Sequence, residues 1–160
     1  MKEKILKLLE NDALLSAKEI AVMIGEEETA VAAAIKAMEK DKTIGGYKAV
    51  VNWDKTDRVV VEALIELKVV PKPDFGFDDI AKKIMEFPEV TNVYLMSGGF
   101  DLKITVVGKS FQEIAYFVAG KISVLDSVVS TGTHFVLKKY KERDIDFFDE
   151  TKDDRREFAL

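Results

Sequence analysis

The chain has 160 residues and, with 24 basic against 29 acidic side chains, a formal net charge of −5. With 48% hydrophobic and 33% charged residues, it suits one or two small packed domains, which excludes wholesale disorder. It has no cysteine, which excludes disulfides, thiolate catalysis and cysteine zinc sites, and no apolar run near the roughly 18 residues of a membrane helix. We expect a cytoplasmic protein without a signal peptide, and the acidic balance argues mildly against nonspecific nucleic-acid binding.

Residues 1–44 show helical patterns only, in three short segments. The second segment opens with Ser16 and Glu19 in capping-box spacing, so each can satisfy the backbone amide of the other. Gly25 follows it, where a left-handed residue would stop the helix. The third segment, over about 27–40, places its apolar side chains on a single face.

Two short helices joined by a tight turn with a glycine are the outline of a helix-turn-helix. The segment 44–47 (IGGY) adds a turn signal followed by extended residues, as in a small β-wing. Three amphipathic helices of this size also occur in many unrelated domains, so periodicity alone leaves DNA binding open. We expect a winged helix-turn-helix domain over 1–50 and a linker over 51–58.

Residues 59–140 alternate between strand and helix patterns and predict an α+β domain. The elements are a strand over 61–69, a helix over 77–87, strands over 90–97 and 102–106, a helix over about 110–122, and a strand over 128–139. The order β-α-β-β-α-β is the ferredoxin-like arrangement, with both helices on one face of an antiparallel sheet. The other face has apolar positions such as Leu64 and needs cover, so we expect a homodimer or a larger assembly.

The tail over 141–160 is dominated by charge, and its five basic and eight acidic residues give it a net charge of −3. Its acids lack the ordered spacing of a calcium loop, so we expect no metal there. We interpret the tail as a solvated or partly disordered extension. Phe147, Phe148 and Phe158 are its candidates for docking on another subunit.

This order of elements resembles the leucine-responsive regulatory protein and asparagine regulator (Lrp/AsnC) family of bacterial and archaeal transcription factors. The resemblance covers about residues 1–140, and the order and spacing of its motifs make it specific. The matching residues are Glu19-Ile20-Ala21, Gly25, Val31, Ile35, Met38, Ile44, Gly46-Tyr47, Phe87-Pro88-Glu89-Val90, Gly98-Gly99-Phe100-Asp101-Leu102, and the closing strand 128–139.

The resemblance implies a DNA-binding head and an effector-binding body, which assembles into dimers and often into rings of dimers. It also implies an amino-acid effector between subunits, with no other cofactor. By matching position, the expected effector-binding residues are Met96, Gly98, Gly99, Phe100, Asp101, Thr131 and Thr133. A glycine turn exposes amides to a carboxylate, Asp101 can accept from an α-ammonium group, and threonine hydroxyls donate or accept. Without the resemblance, the glycine pair is a plain hairpin turn and Asp101 a solvated or capping residue.

The third helix departs from the family pattern. It begins with the acids 26–28 and continues with alanines at 30 and 32–34, whereas the family usually has Ser at Glu27 and basic residues around Ala33 and Ala34. Residues 1–50 hold eight lysines, nine acids and no arginine, a net charge of −1. The expected DNA contacts are Lys36, Lys40, Lys42 and Lys48 to phosphates, and Ala32 and Ala33 to thymine methyl groups.

Two functions follow from these observations. The first is a DNA-binding transcriptional regulator that responds to a small ligand. The second is an amino-acid sensor or interaction module whose head has weak or lost specific DNA binding. We do not expect an enzyme, because the sequence has a single histidine, His134, and no recognisable nucleophile or phosphate loop.

Overall fold

The computed structural model describes residues 1–148, and the chain separates into two compact units, residues 1–49 and the residues from 50 on. The predicted α+β class is confirmed, because the first unit contains helices only and the second contains a sheet with helices. Within residues 1–148, no helix has both the length and the apolar character needed to cross a membrane.

The first unit, which we call the head, consists of α1 (Lys2–Asn11), α2 (Ala17–Ile24) and α3 (Glu28–Lys40). The predicted capping box opens α2: Ser16 Oγ accepts from the Glu19 amide at 3.2 Å, and the Glu19 carboxylate accepts from the Ser16 amide at 2.8 Å. Gly25 ends α2 with φ 71°, a left-handed conformation that favours glycine.

One apolar face of each helix forms the core of the head. Burying these faces together supplies most of the stability of such short helices, since isolated helices of this length are marginal in water. The buried side chains are Ile5, Leu9, Ile20, Ala21, Val31, Ala34 and Met38.

The segment predicted as a β-wing, 44–47, contains no strand. It packs along the end of α3 instead, because the Ile44 amide donates to the carbonyl of Met38 at 2.9 Å and the Tyr47 hydroxyl donates to the Glu39 carboxylate at 3.0 Å. Adjacent glycines weaken a strand, and an isolated two-stranded ribbon is marginally stable. The predicted linker contains a 3-10 turn, Trp53–Lys55. The guanidinium group of Arg58 lies over the Trp53 ring, 4.7 Å from the ring centre.

The second unit, which we call the body, has the predicted ferredoxin-like order. Its main elements are β1 (Val61–Val69), α4 (Phe77–Met85), β2 (Val90–Leu95), β3 (Leu102–Gly108), α5 (Phe111–Phe117) and β4 (Val128–Phe135). The four strands form an antiparallel sheet in the order β2-β3-β1-β4. Two strands are shorter than predicted, since β2 ends at Leu95 and β4 at Phe135.

The two faces of the sheet differ sharply in composition. One face packs against the helices and carries fully buried residues of the central strands, such as Ile65 and its cross-strand partner Ile104. On the open face, Leu64 alternates with Glu62 and Glu66, and Glu66 lies opposite Lys103. The open face is therefore mixed in character rather than uniformly apolar.

The second helix of the body changes its hydrogen bonding partway along. It is α-helical over Phe111–Phe117 and then widens into a π-turn over Val118–Ile122, where the Ser123 amide donates to the Val118 carbonyl at 2.8 Å. The widening keeps both Val118 and Ile122 in the core. Lys121 lies within this π-turn, and its ammonium group is 2.8 Å from the Glu89 carboxylate.

Part of the predicted solvated tail is structured. Two short strands, β5 (Lys141–Glu142) and β6 (Ile145–Asp146), pair as a hairpin whose turn residues Arg143 and Asp144 have φ of 47° and 65°. Positive φ at both turn residues matches the twist of a two-residue hairpin, but Asn-Gly is the pair that usually signals it. Residues 149–160, with Phe158, lie outside the described residues.

Lys139 ties the hairpin to the sheet. Its ammonium group lies 2.6 Å from the Glu62 carboxylate of β1 and 3.0 Å from that of Glu142 in the hairpin. Burial opposes the charge of Lys139, but the hydrogen bonds to both carboxylates outweigh it and raise the lysine pKa. The chain after the sheet is thus held by an ion-pair network.

Candidate functional site

The exposed face of α3 carries four of the six residues expected to touch DNA. Ala32, Ala33, Lys36 and Lys40 are all exposed. Lys36 follows the two adjacent alanines by three and four residues and Lys40 follows Lys36 by four, which places them along one stripe of the helix. Val31, Ala34 and Met38 are buried on the opposite side, so the stripe has no other role in the core of the head. The arrangement offers two methyl groups and two ammonium groups to a ligand outside the head.

The remaining DNA candidates follow α3. Lys42 is exposed with a left-handed φ of 65°, and Lys48 is exposed in the extended segment after the glycine pair. A left-handed φ is a conformation that glycine adopts at lower cost than lysine.

The acids at the start of α3 are exposed and make no cap with their side chains. Glu27 occupies the N-cap position but forms no side-chain hydrogen bond to the helix, and Glu28 begins the first turn. Carboxylates there gain about 0.3–1 kcal/mol each from the helix dipole. They also place negative charge at the helix end that usually enters the major groove, where phosphates repel it.

The glycine turn between β2 and β3 is closed by hydrogen bonds at its base. The Met96 amide donates to the Asp101 carbonyl at 2.8 Å, and Gly98 has φ 128°. An added Cβ at Gly98 or Gly99 would meet no atom within 4 Å, so backbone conformation rather than space calls for glycine at Gly98. The turn presents the partly exposed Met96 and the half-buried Phe100.

Asp101 has a structural task in addition to any ligand contact. Its Oδ2 accepts from the Val69 amide at 2.9 Å, and its own amide donates to the Leu67 carbonyl at 2.9 Å. These bonds lie where the pairing of β1 with β4 shifts register, between Lys68 and Val69. The Asp101 carboxylate thus accepts from the Val69 amide at the point where the pairing of β1 with β4 is irregular.

Thr131 and the glycine turn lie at the same end of the sheet, on opposite sides of β1. Thr131 pairs with Leu67, the residue whose carbonyl accepts from Asp101 on the other side, and Thr133 pairs with Ile65. Two strand spacings, about 10 Å, therefore separate Thr131 from the turn. Both threonines share the helix-covered side of the sheet with their strand partners.

A further cluster of charged side chains escaped the sequence reasoning. Glu89 pairs with Lys121 at 2.8 Å beside a cavity lined also by Glu113. The two residues are 32 positions apart in the chain, so no pattern of neighbouring residues predicts their contact. The only signal was Glu89 itself, within the motif Phe87-Pro88-Glu89-Val90.

Comparison with known proteins places the chain in a family. Residues 62–145 match the Lrp/AsnC ligand binding domain. The chain is 44% identical over 154 residues to YugG of Bacillus subtilis, named an uncharacterized HTH-type transcriptional regulator, covering 96% of this chain and 92% of the relative. It is 31% identical to the HTH-type transcriptional regulator LrpA of Pyrococcus abyssi, over 86% of this chain and 94% of the relative.

A solved structure gives the same fold. The transcriptional regulator NMB0573 of Neisseria meningitidis, in complex with L-Met, superposes with a TM-score of 0.69 at 20% identity, covering 88% of this chain and 90% of that one. The helix-turn-helix head, the ferredoxin-like body and these likenesses agree with one another. The chain belongs to the Lrp/AsnC family of transcriptional regulators.

Proposed function

We propose that this protein regulates transcription by binding double-stranded DNA through its head and a small ligand, an amino acid, through its body. The observation that carries the DNA half is the exposed stripe of α3, where Ala32, Ala33, Lys36 and Lys40 have no part in the core. The lysines contact phosphates and set the register, and the alanines contact thymine methyl groups.

The DNA half is tested by fluorescence anisotropy with the promoter region upstream of the protein's own gene, over a range of salt. Four lysines per head, Lys36, Lys40, Lys42 and Lys48, give a dimer up to roughly eight phosphate contacts, a log–log salt slope near −7. Lys36→Gln in both heads reduces the magnitude of that slope by about 2. The matched control is Lys7→Gln on α1, whose ammonium group already pairs with Glu3 at 3.1 Å.

Undetectable DNA binding at low salt, together with tight binding of an amino acid, would refute the DNA half and favour the sensor function. A slope that Lys36→Gln and Lys7→Gln change equally would refute the assignment of α3 as the DNA-contacting surface. The two results are distinguishable, because the first concerns the head as a whole and the second concerns one helix face.

The ligand half rests on the glycine turn and the neighbouring end of the sheet. Gly98 and Gly99 are exposed, so a carboxylate can approach their amides. Asp101 binds the Val69 amide through Oδ2, and its Oδ1 is proposed to accept from an ammonium group. Thr131 lies across β1, about 10 Å away, so one amino acid bridges these groups most readily where a second subunit completes the site. Met96, Phe100 and Thr133 complete the proposed lining.

The ligand half is tested by screening the twenty amino acids for a thermal shift. Thr131→Val keeps the shape and removes the hydroxyl, and the loss of one hydrogen bond weakens the identified amino acid about tenfold. The matched control is Thr91→Val, on the strand β2, whose hydroxyl donates to the Thr105 carbonyl at 3.3 Å. Equal effects of the two substitutions would refute the site.

We also propose a homodimer formed by the open face of the body, with a ring of dimers as its larger assembly. Leu64 lies there among charges of both signs, with Glu66 opposite Lys103, and a two-fold interface requires such self-complementarity. Leu64→Glu shifts the sedimentation coefficient to that of a monomer. The control Val124→Glu, exposed in the turn after the second helix of the body, does not. A Leu64→Glu variant that remains dimeric refutes this interface.

A further inference from the structure

A cavity of about 330 Å³ lies between α5 and the end of β3 that is remote from the glycine turn. Its walls are apolar where Val106, Ile114 and Phe117 meet, and charged at Glu89, Glu113 and Lys121. Ligand sites of small molecules typically have such volumes, with mostly apolar walls and a few placed polar groups. The expected effector residues line none of this cavity.

The polar centre of the cavity is the carboxylate of Glu89. Its Oε1 accepts from the Lys121 ammonium group at 2.8 Å. Its Oε2 is fully buried and has no hydrogen-bond donor among residues 1–148. Buried carboxylate oxygens are nearly always hydrogen-bonded, because leaving a charged acceptor without a donor is costly.

Lys121 donates to only one of the two oxygens of Glu89. Its ammonium group lies 5.5 Å from the ring centre of Phe117 and 5.8 Å from that of Phe87, and the two rings meet edge to face. Attraction to both ring faces keeps the ammonium group beside Oε1. The hydrogen bond from Lys121 also lowers the pKa of Glu89, so the carboxylate is ionised at neutral pH.

The charge of the lining selects the ligand. Glu89 and Glu113 are set against the single ammonium group of Lys121, so the lining is net negative. The Glu113 carboxylate already accepts from the Lys109 amide, which leaves Glu89 Oε2 as the buried acceptor in need of a donor. A cation with several N–H donors fits that need, and an anion is repelled by it.

We propose that this cavity binds a small molecule with a primary ammonium group on an apolar body. The partly exposed side chain of Glu89 turns on binding, so that Oε2, buried in the free protein, accepts from the ammonium group. The apolar body packs against the exposed ring of Tyr116, beside the largely buried Ile114 and Phe117. Both a simple amine and an α-amino acid carry this chemistry. The site is separate from the proposed effector site, and its test measures binding directly without DNA.

The test uses three matched probes on the isotope-labelled full chain, followed by the amide NMR shifts of Val107, Gly108 and Gly120. Butylamine has the ammonium group, pentanoate has the carboxylate, and norvaline has both. Butylamine and norvaline shift these amides with Kd on the order of 1 mM, and pentanoate does not. If norvaline binds and butylamine does not, the ligands of the cavity are amino acids only, and the claim that an ammonium group on an apolar body is enough for binding is refuted.

Two variants connect the binding to the carboxylates. Glu89→Gln keeps the shape and a partner for Lys121 but weakens butylamine at least tenfold, and Glu113→Gln weakens it by a smaller factor. The control Glu86→Gln, at an exposed carboxylate outside the cavity, leaves the affinity unchanged. Absence of shifts with all three probes at about 20 mM, equal shifts with pentanoate, or undiminished binding by Glu89→Gln overturns the proposal.

Discussion

Replacing Asp101 separates its structural role from a ligand role. In Asp101→Ala the Val69 amide loses its acceptor, and Val69 is only 6% exposed, so water cannot replace the lost bond well. A buried amide left without a partner costs about 1–3 kcal/mol. Asp101→Asn retains an acceptor oxygen but loses the charge, so it costs roughly 1 kcal/mol, the difference between a charged and a neutral acceptor.

These values predict an order that unfolding experiments resolve. For a body of roughly 100 residues, each kcal/mol lowers Tm by about 4–8 °C, so Asp101→Ala lowers the body transition by roughly 8–16 °C for a loss of 2 kcal/mol. Urea unfolding followed by circular dichroism measures the free energies. Hydrogen exchange of the Val69 amide reports the individual bond, and exchange there accelerates more than at Ile65 on the same strand.

Asp126→Ala is the matched control. Its carboxylate lies 3.8 Å from the Lys72 ammonium group and is 88% exposed, so its loss changes stability by less than about 0.5 kcal/mol. The reasoning is refuted if Asp101→Ala is as stable as the wild type, or if exchange of the Val69 amide is unaffected. An unstable Asp101→Asn equal to Asp101→Ala would show that charge, rather than an acceptor atom, is what the Val69 amide requires.

Three further predictions concern the caps, the acid limb of stability and the hairpin. Ser16→Ala removes the oxygen that accepts from the Glu19 amide and destabilises the head by about 1 kcal/mol in urea unfolding. Because Lys121 lowers the Glu89 pKa, the contribution of the ionised pair is present above the ordinary glutamate pKa of about 4.3 and is lost as pH falls through the lowered value. Stability measured down the acid limb therefore falls less steeply in Glu89→Gln than in the wild type. Asp144→Gly relieves a left-handed φ of 65° at a cost of only an exposed ion pair to Lys141, and strengthens the cross-strand NMR contacts between Glu142 and Ile145.

Elements governed by neighbours in the chain were predictable from the sequence. The Ser16 and Glu19 cap, the left-handed Gly25 and the alternation over 61–69 each depend on residues within a few positions, and each appears as expected. The ferredoxin-like fold follows from the order of strand-like and helix-like hydrophobic periodicity along the chain, because a β-α-β-β-α-β order allows few compact antiparallel topologies. The wing was wrongly predicted, since a turn signal at 45–46 does not supply a second strand.

Elements that depend on distant residues were not predictable in this way. The bond of Asp101 to Val69 spans 32 positions, and so does the pair of Glu89 with Lys121. Nothing in the local pattern of either carboxylate indicates its partner. The hairpin over 141–146 was missed for another reason, because Arg-Asp at left-handed turn positions is unusual and the Lys139 network supports it from outside.

Charge has to be considered locally to judge how the head meets DNA. The net charge of −5 belongs largely to the tail, whereas residues 1–50 carry only −1. The acids 26–28 lie together at the start of α3, whereas Lys36 and Lys40 are accompanied by Glu39 and Asp41 at its end, so the excess of negative charge is at the N-terminal end. In the proposed complex, phosphate contact by Lys36 and Lys40 and withdrawal of Glu27 and Glu28 from the groove lower the energy together. We therefore propose a tilted approach of the head, in which the alanines, rather than the first turn, lie nearest to the bases.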